Sequence, residues 1–119
     1  MIEYWHNPRC SKSREGLKLL QERGGEVTVR PYLEDAPSAA ELAAARTALG
    51  NPPAAEMMRT KEKLFKELGL SKTDDDAHLI AAMAEHPVLI ERPLAISGTR
   101  AVIGRPPEKL LELLRPQGN

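Results

Sequence analysis

Apolar residues along this chain follow two periods, one of strands and one of helices. Ile2–His6 is a short β-like run with aromatic and β-branched members, and it stops at Asn7-Pro8, a strong turn dipeptide. From Cys10 to Arg23, Leu17, Leu19 and Leu20 stand among Lys, Arg, Glu and Gln, which predicts a first helix closed by Gly24-Gly25. Val27, Val29 and the Arg30-Pro31-Tyr32 segment then alternate as a second strand. The opening third therefore reads β-α-β, and connection rules make such a unit parallel and right-handed, with the helix crossing one face.

A helical block follows. Ser38-Ala-Ala-Glu41 is a capping-box pattern, and the Ala-rich stretch behind it to Leu49 ends at Gly50 and the Asn51-Pro52-Pro53 break. Ala54–Met58, Thr60–Leu68 and Thr73–His86 are further helical stretches. The last opens on Asp74-Asp75-Asp76, suited to a helix N-terminus, and His86-Pro87 stops it. Beyond residues 38–86, Val88-Leu89-Ile90 and Leu94-Ala95-Ile96 are β-rich but interrupted by Pro93. The second run continues through Ser97-Gly98-Thr99 into Arg100–Ile103 as a hairpin. Pro87–Pro93 is read as part of that hairpin and not as a domain boundary. A closing helix has Pro106-Pro107 in its first turn, an apolar face of Leu110, Leu111, Leu113 and Leu114, and a stop at Arg115-Pro116. The whole is an α/β chain, β-α-β … β-β-α with an all-helical insertion, expected to form one domain over residues 1–119.

Composition narrows the function classes. Lys plus Arg (17) equal Asp plus Glu (17), which argues against bulk electrostatic binding to nucleic acid or to an anionic membrane. The aromatic residues are Tyr4, Trp5, Tyr32 and Phe65, too few for a base-stacking platform. No apolar run reaches the ~18 residues of a membrane span. The start MIEYWHNPRC carries charge and Pro where a signal peptide would be apolar, so a cytoplasmic address is expected. The single cysteine, Cys10, excludes an intramolecular disulfide and a Cys-pair zinc site, and fits a reducing compartment.

Cys10 stands at the first turn of the first predicted helix, where the positive end of the helix and unpaired backbone N–H groups favour a thiolate. His6, Arg9, Lys12 and Arg14 surround it with no acidic residue between His6 and Arg14, and a local positive charge also lowers a thiol pKa. A lone cysteine is more often a buried apolar residue. Here the flanking Arg9 and Ser11 argue against a core position, and a pKa below that of a free thiol is expected. Arg59, Arg92 and Arg105 each stand beside a structural break, and guanidinium groups bind tetrahedral oxyanions through paired N–H donors. Taken singly, such arginines are more often solvated or salt-bridged, and spacing alone does not overturn that. His78 and His86 have no second ligand at metal spacing, so no metal site is expected. Met57-Met58 reads as core packing, and Asp74–Asp76 as a helix start.

The run Tyr4-Trp5-His6-Asn7-Pro8-Arg9-Cys10-Ser11-Lys12-Ser13-Arg14, with Arg59-Thr60-Lys61-Glu62, Glu91-Arg92-Pro93 and Gly104-Arg105-Pro106-Pro107, resembles the glutaredoxin-coupled arsenate reductase family. The resemblance spans nearly the whole chain. It implies a thioredoxin-like fold with a helical insertion at about 38–86. It further implies that Cys10 is the nucleophile, that Arg59, Arg92 and Arg105 hold the oxyanion, that His6, Ser13 and Arg14 support the thiolate, and that Pro93 is the cis-proline of the fold. It implies arsenate or a similar oxyanion as substrate, glutathione as reducing co-substrate, glutaredoxin as partner and no bound cofactor. Where well-studied members resemble Cys-Gly-Thr-Ser-Arg, this chain reads Cys10-Ser11-Lys12-Ser13-Arg14. The arithmetic of electrons agrees: reducing arsenate takes two, the protein carries one thiol, and external thiols must supply the rest.

Two other readings are open. The same cleft in a related thiol oxidoreductase would act on glutathione mixed disulfides. Alternatively, the chain resembles a thioredoxin-fold regulator that binds RNA polymerase. Regulators of that kind commonly sense oxidation through Cys-x-x-Cys, and Ser13 occupies the second position here, so only a redox-independent version is open.

Overall fold

The computed structural model of the chain describes residues 1–115. Its elements are strand β1 (Ile2–Trp5), helix α1 (Ser11–Glu22), β2 (Val27–Arg30), α2 (Ala39–Ala48), α3 (Lys63–Glu67), α4 (Asp76–Glu85), β3 (Leu94–Ser97) and β4 (Arg100–Ile103). Short 3₁₀ segments at Ala54–Met57, Pro87–Leu89 and Pro107–Leu114 complete it. The chain divides into two compact units, Met1–Asp35 with the segment from Arg92 onward, and Ala36–Glu91.

The first unit is a four-stranded sheet in the order β2-β1-β3-β4. β1 and β2 run parallel from Ile2↔Val27 to Trp5↔Arg30, so α1 is the crossover that the β-α-β reading requires. β3 pairs antiparallel with both β1 and β4, with Trp5↔Leu94 and Leu94↔Ile103 in register. That register determines the site: one step beyond the paired ends, His6 falls opposite Pro93 and Pro93 opposite Gly104, so Arg92 meets Arg105. One core cluster holds Ile2, Tyr4, Leu20, Ala95, Leu110 and Leu113, with Leu17, Val27, Val102 and Leu114 packed against it. The ends of β1 and β2 are tied by the Arg30 guanidinium, 5.8 Å over the Trp5 ring and 3.8 Å from the Glu3 carboxylate, which also accepts from the Trp5 indole N–H at 2.7 Å.

The closing segment is a 3₁₀ helix over all of Pro107–Leu114, not the α-helix that its leucines predict. The leucine spacing suits either period: in a 3₁₀ helix residues three apart eclipse, which stacks buried Leu110 on buried Leu113 and Leu111 on Leu114. Arg100 of β4 holds the segment's far end, donating to the carbonyls of Glu112, Leu113 and Arg115. Pro116, expected to end this helix, lies outside the described residues. Gly104 sits under the same segment, and a Cβ there would fall 2.7 Å from Leu110 Cγ. Because Leu110 is fully buried it cannot swing away. Gly104→Ala is therefore expected to destabilise the protein by about 1–3 kcal/mol in urea unfolding, the usual cost of overpacking; an unchanged midpoint would show that the segment yields freely.

In the second unit Ser38 caps α2 with a complete capping box, Ser38 Oγ accepting from the Glu41 N–H at 3.1 Å and Glu41 accepting from the Ser38 N–H at 3.0 Å. Gly50 and Asn51 then turn the chain with φ of +97° and +57°. The three aspartates divide their work. Asp74 accepts from the Ser71 N–H, Asp75 caps α4 through the His78 N–H, and Asp76 pairs with Arg46 at 2.9 Å. Because Asp75 is the cap, α4 starts at Asp76 and not at Thr73. The helix expected over Thr60–Leu68 shrinks to Lys63–Glu67, since Met58 is extended in a bridge to Ile90 and the Arg59 N–H is committed to the Leu89 carbonyl. Val88-Leu89-Ile90 is not a strand. Pro87 presets a tight turn, in which the Leu89 and Ile90 N–H groups bond back to His86 and Pro87. Met57 and Met58 are buried, as core residues should be. The boundary between the units falls between Glu91 and Arg92, inside the Pro87–Pro93 segment that the sequence assigns to the hairpin.

Candidate active site

The loop His6–Arg9 joins the end of β1 to α1, and its turn is closed by the Cys10 N–H donating to the Asn7 carbonyl at 3.0 Å. The Asn7 side chain accepts from the Arg9 N–H at 3.0 Å, the short Asx turn that an Asn-Pro dipeptide favours. Cys10 is thus the residue that caps α1, not the first residue of its first turn. Its backbone is extended (φ −94°, ψ 121°), and its carbonyl accepts the first helical bond from the Arg14 N–H at 3.0 Å. No side chain caps this helix end, so its N–H groups are available to the sulfur.

Burial of the thiol opposes ionisation, yet the Cys10 pKa is lowered overall. The Ser13 N–H, the charge and hydrogen bond of Arg92, and the Lys12 N–H together outweigh desolvation. Arg92 Nε donates to Cys10 Sγ at 3.1 Å. The cation at the sulfur therefore comes from a residue far along the chain and not from the adjacent cationic run. Within that run Arg14 donates to the Pro8 carbonyl at 2.8 Å, and Lys12 pairs with Glu15 at 3.7 Å. Burial, with the Arg14 charge adding to it, lowers the His6 pKa and favours a neutral imidazole.

Ser13 is the centre of the support. It is the one buried polar residue of the described chain, and its Oγ meets His6 Nδ1 at 2.7 Å and accepts from the Asn7 N–H at 3.0 Å. Its carbonyl accepts from the Tyr4 hydroxyl at 2.6 Å. Tyr4 and Asn7 were not among the residues singled out from sequence. A buried tyrosine needs a partner for its hydroxyl, and Tyr4 alternates with Ile2 on the core face of a short strand, so that signal was present.

Of the arginines, Arg105 Nη1 donates to the Arg92 carbonyl at 2.9 Å, and the Arg92–Pro93 peptide bond is cis, as is Arg105–Pro106. Cys10, His6, Ser13, Arg14, Arg92, Pro93 and Arg105 all belong to the first unit. Arg59 belongs to the second, where its guanidinium pairs with Glu62 at 2.9 Å and reaches the Val88 carbonyl at 3.4 Å. Among the described residues no three His, Cys, Asp or Glu side chains are gathered to hold a metal ion, and no helix is long and apolar enough to cross a membrane. A partly buried thiol at the uncapped start of a helix, hydrogen-bonded by a guanidinium, is a nucleophile suited to an anionic electrophile.

The family model of the ArsC family matches residues 5–113. An arsenate reductase of Haemophilus influenzae is 47% identical over 92% of this chain and 96% of its own length. An uncharacterised protein of Escherichia coli K12 is equally similar, 47% identical over 95% of this chain and 96% of its own length. Among solved structures, an arsenate reductase from Vibrio cholerae superposes with a TM-score of 0.89 at 49% identity, covering 94% of this chain and 96% of that one. With the thioredoxin-like arrangement of its first unit and these matches along nearly its whole length, the chain belongs to the ArsC family.

Proposed function

We propose that the protein reduces arsenate to arsenite through a Cys10 thiolate, with glutathione and glutaredoxin supplying the electrons in the cytoplasm. The observation that carries the reading is the Arg92 guanidinium 3.1 Å from the Cys10 sulfur, a cation placed where an anion must approach a thiolate. Family membership and the names of the relatives in H. influenzae and V. cholerae support arsenate as that anion.

In this scheme Cys10 attacks arsenic(V) and displaces one oxygen, which leaves as water after taking up protons. Glutathione then attacks the adduct. Arsenic gains two electrons and departs as arsenite, while one sulfur of Cys10 and one of glutathione lose one electron each and become a mixed disulfide. Glutaredoxin exchanges with that disulfide, and a second glutathione completes the oxidised pair. Arg92 and Arg105 offset the charge that would otherwise keep thiolate and oxyanion apart. Arg59 is assigned to the same oxyanion on the family resemblance alone.

The test is NADPH consumption coupled through glutathione reductase. A rate that requires arsenate, glutathione and glutaredoxin together is the expected result. Turnover of a glutathionylated peptide with none of arsenate would select the mixed-disulfide reading and overturn this one.

A further inference from the structure

The Tyr4 phenol touches this machinery, and the chemistry above gives it no part. Its ring lies fully buried in the core cluster with Ile2, Leu20, Ala95 and Leu110. Its hydroxyl reaches up to the first turn of α1 and donates to the Ser13 carbonyl at 2.6 Å. The approach depends on Gly16, one turn further along the helix. A Cβ there would stand 2.5 Å from the Tyr4 oxygen and 2.7 Å from Leu110 Cδ1.

Ser13 is consequently tied on every side. Its carbonyl is held from the core by Tyr4, its hydroxyl by the Asn7 N–H and the His6 ring, and its own N–H belongs to the uncapped first turn behind Cys10. An N–H stabilises a thiolate only while it points at it, and a first helical turn frays unless something fixes it. We propose that Tyr4 is a positioning residue for Cys10: by clamping the Ser13 carbonyl from inside the core, it fixes the first turn of α1 with the Ser13 N–H directed at the sulfur.

The phenol is suited to that work. Burial above all, with the Cys10 charge adding to it, holds Tyr4 protonated well above the usual tyrosine range, so it remains a donor wherever Cys10 ionises. The other charged or titratable groups around the loop are accounted for separately. Arg92 touches the sulfur, Arg105 holds the Arg92 carbonyl, Arg14 holds the Pro8 carbonyl, the His6 ring meets Ser13, Lys12 pairs with Glu15, and Arg9 is exposed. The inference rests on Cys10 being the nucleophile of the proposed function, but not on arsenate being its target.

Tyr4→Phe keeps the ring and the core volume and deletes only the hydroxyl that clamps the Ser13 carbonyl. The rate of Cys10 alkylation by iodoacetamide, followed against pH, is expected to show a midpoint raised by about half a unit, which is about threefold slower labelling below the midpoint. Leu113→Ala serves as the control, because it loosens the same cluster without touching Ser13. Its melting temperature should fall while the labelling midpoint stays in place. An unchanged midpoint in Tyr4→Phe, or an equal shift in Leu113→Ala, overturns the proposal. A measurement on the unaltered protein guards against a variant that fails to fold: the Ser13 amide proton should titrate in NMR with the Cys10 midpoint, and an amide that ignores Cys10 ionisation also overturns it. The labelling experiment needs no arsenate. A Tyr4→Phe shift without arsenate turnover would therefore reject the proposed function and leave this inference standing, and arsenate turnover with no shift would do the reverse.

Discussion

Replacing Cys10 with serine is expected to cut arsenate-dependent NADPH consumption by on the order of 10³-fold or more, to the level of the uncatalysed thiol reaction. The N–H groups of Ser13 and Lys12 and the Arg92 guanidinium bring a thiol into its ionising range. They cannot do the same for an alcohol, whose pKa lies far above it. The fold should not suffer. Cys10 makes no capping hydrogen bond from its side chain, whereas serine is a preferred capping residue, so the variant's melting temperature is expected to match or exceed that of the original. Loss of turnover at equal or higher stability isolates the nucleophile. Turnover retained by the serine variant would remove Cys10 from the mechanism altogether.

Arg92→Leu is expected to act twice, because this side chain stabilises the thiolate and, in the proposed function, meets the incoming anion. Its Nε donates to Cys10 Sγ at 3.1 Å and its charge is among the causes of the lowered thiol pKa. The sign follows directly. A depressed thiol pKa means that the thiolate is populated at pH values below the ordinary midpoint, so removing Arg92 must slow alkylation near neutral pH and leave it unchanged well above ~8.5, the free-thiol value. The midpoint is expected to rise by about one unit, as for loss of one close opposite charge, and kcat/KM for arsenate to fall about 10²-fold. Arg92→Lys should recover part of the midpoint shift and less of the kcat/KM, since an ammonium keeps the charge without the planar fork. Equal alkylation profiles for Arg92→Leu and the original would mean that the helix N–H groups alone ionise Cys10.

The parts of this protein that were legible in its sequence are those governed by neighbours in the chain. The β-α-β opening, the Ser38 capping box, the aspartate-rich start of α4 and the stops at Gly24 and Gly50 depend on backbone preference within a few residues, and such preferences act before any tertiary contact forms. Errors appeared where two local preferences compete. Val88–Ile90 has strand-forming side chains but follows Pro87, and the turn prevailed. The leucines at 110, 111, 113 and 114 fit either helical period, and stacking on the sheet decided for the tighter one.

Cys10 was legible for the same reason: a strand, an Asn-Pro turn and a helix start place it at an N-terminus whatever the rest of the molecule does. The charge that lowers its pKa was not. Proximity in sequence pointed to Arg9, Lys12 and Arg14, yet two of these turn to Pro8 and Glu15, while the sulfur's partner is Arg92. Arg92 arrives there because β3 pairs with β1 in the register Trp5↔Leu94, and it meets Arg105 because β4 pairs with β3 in the register Leu94↔Ile103. Strand register is set by which apolar faces bury together across long separations, and no local propensity encodes it. The sequence by itself determined that there is a thiol at a helix start; only the tertiary structure decided which guanidinium would reach the sulfur and which tyrosine would hold the Ser13 carbonyl in the turn behind it.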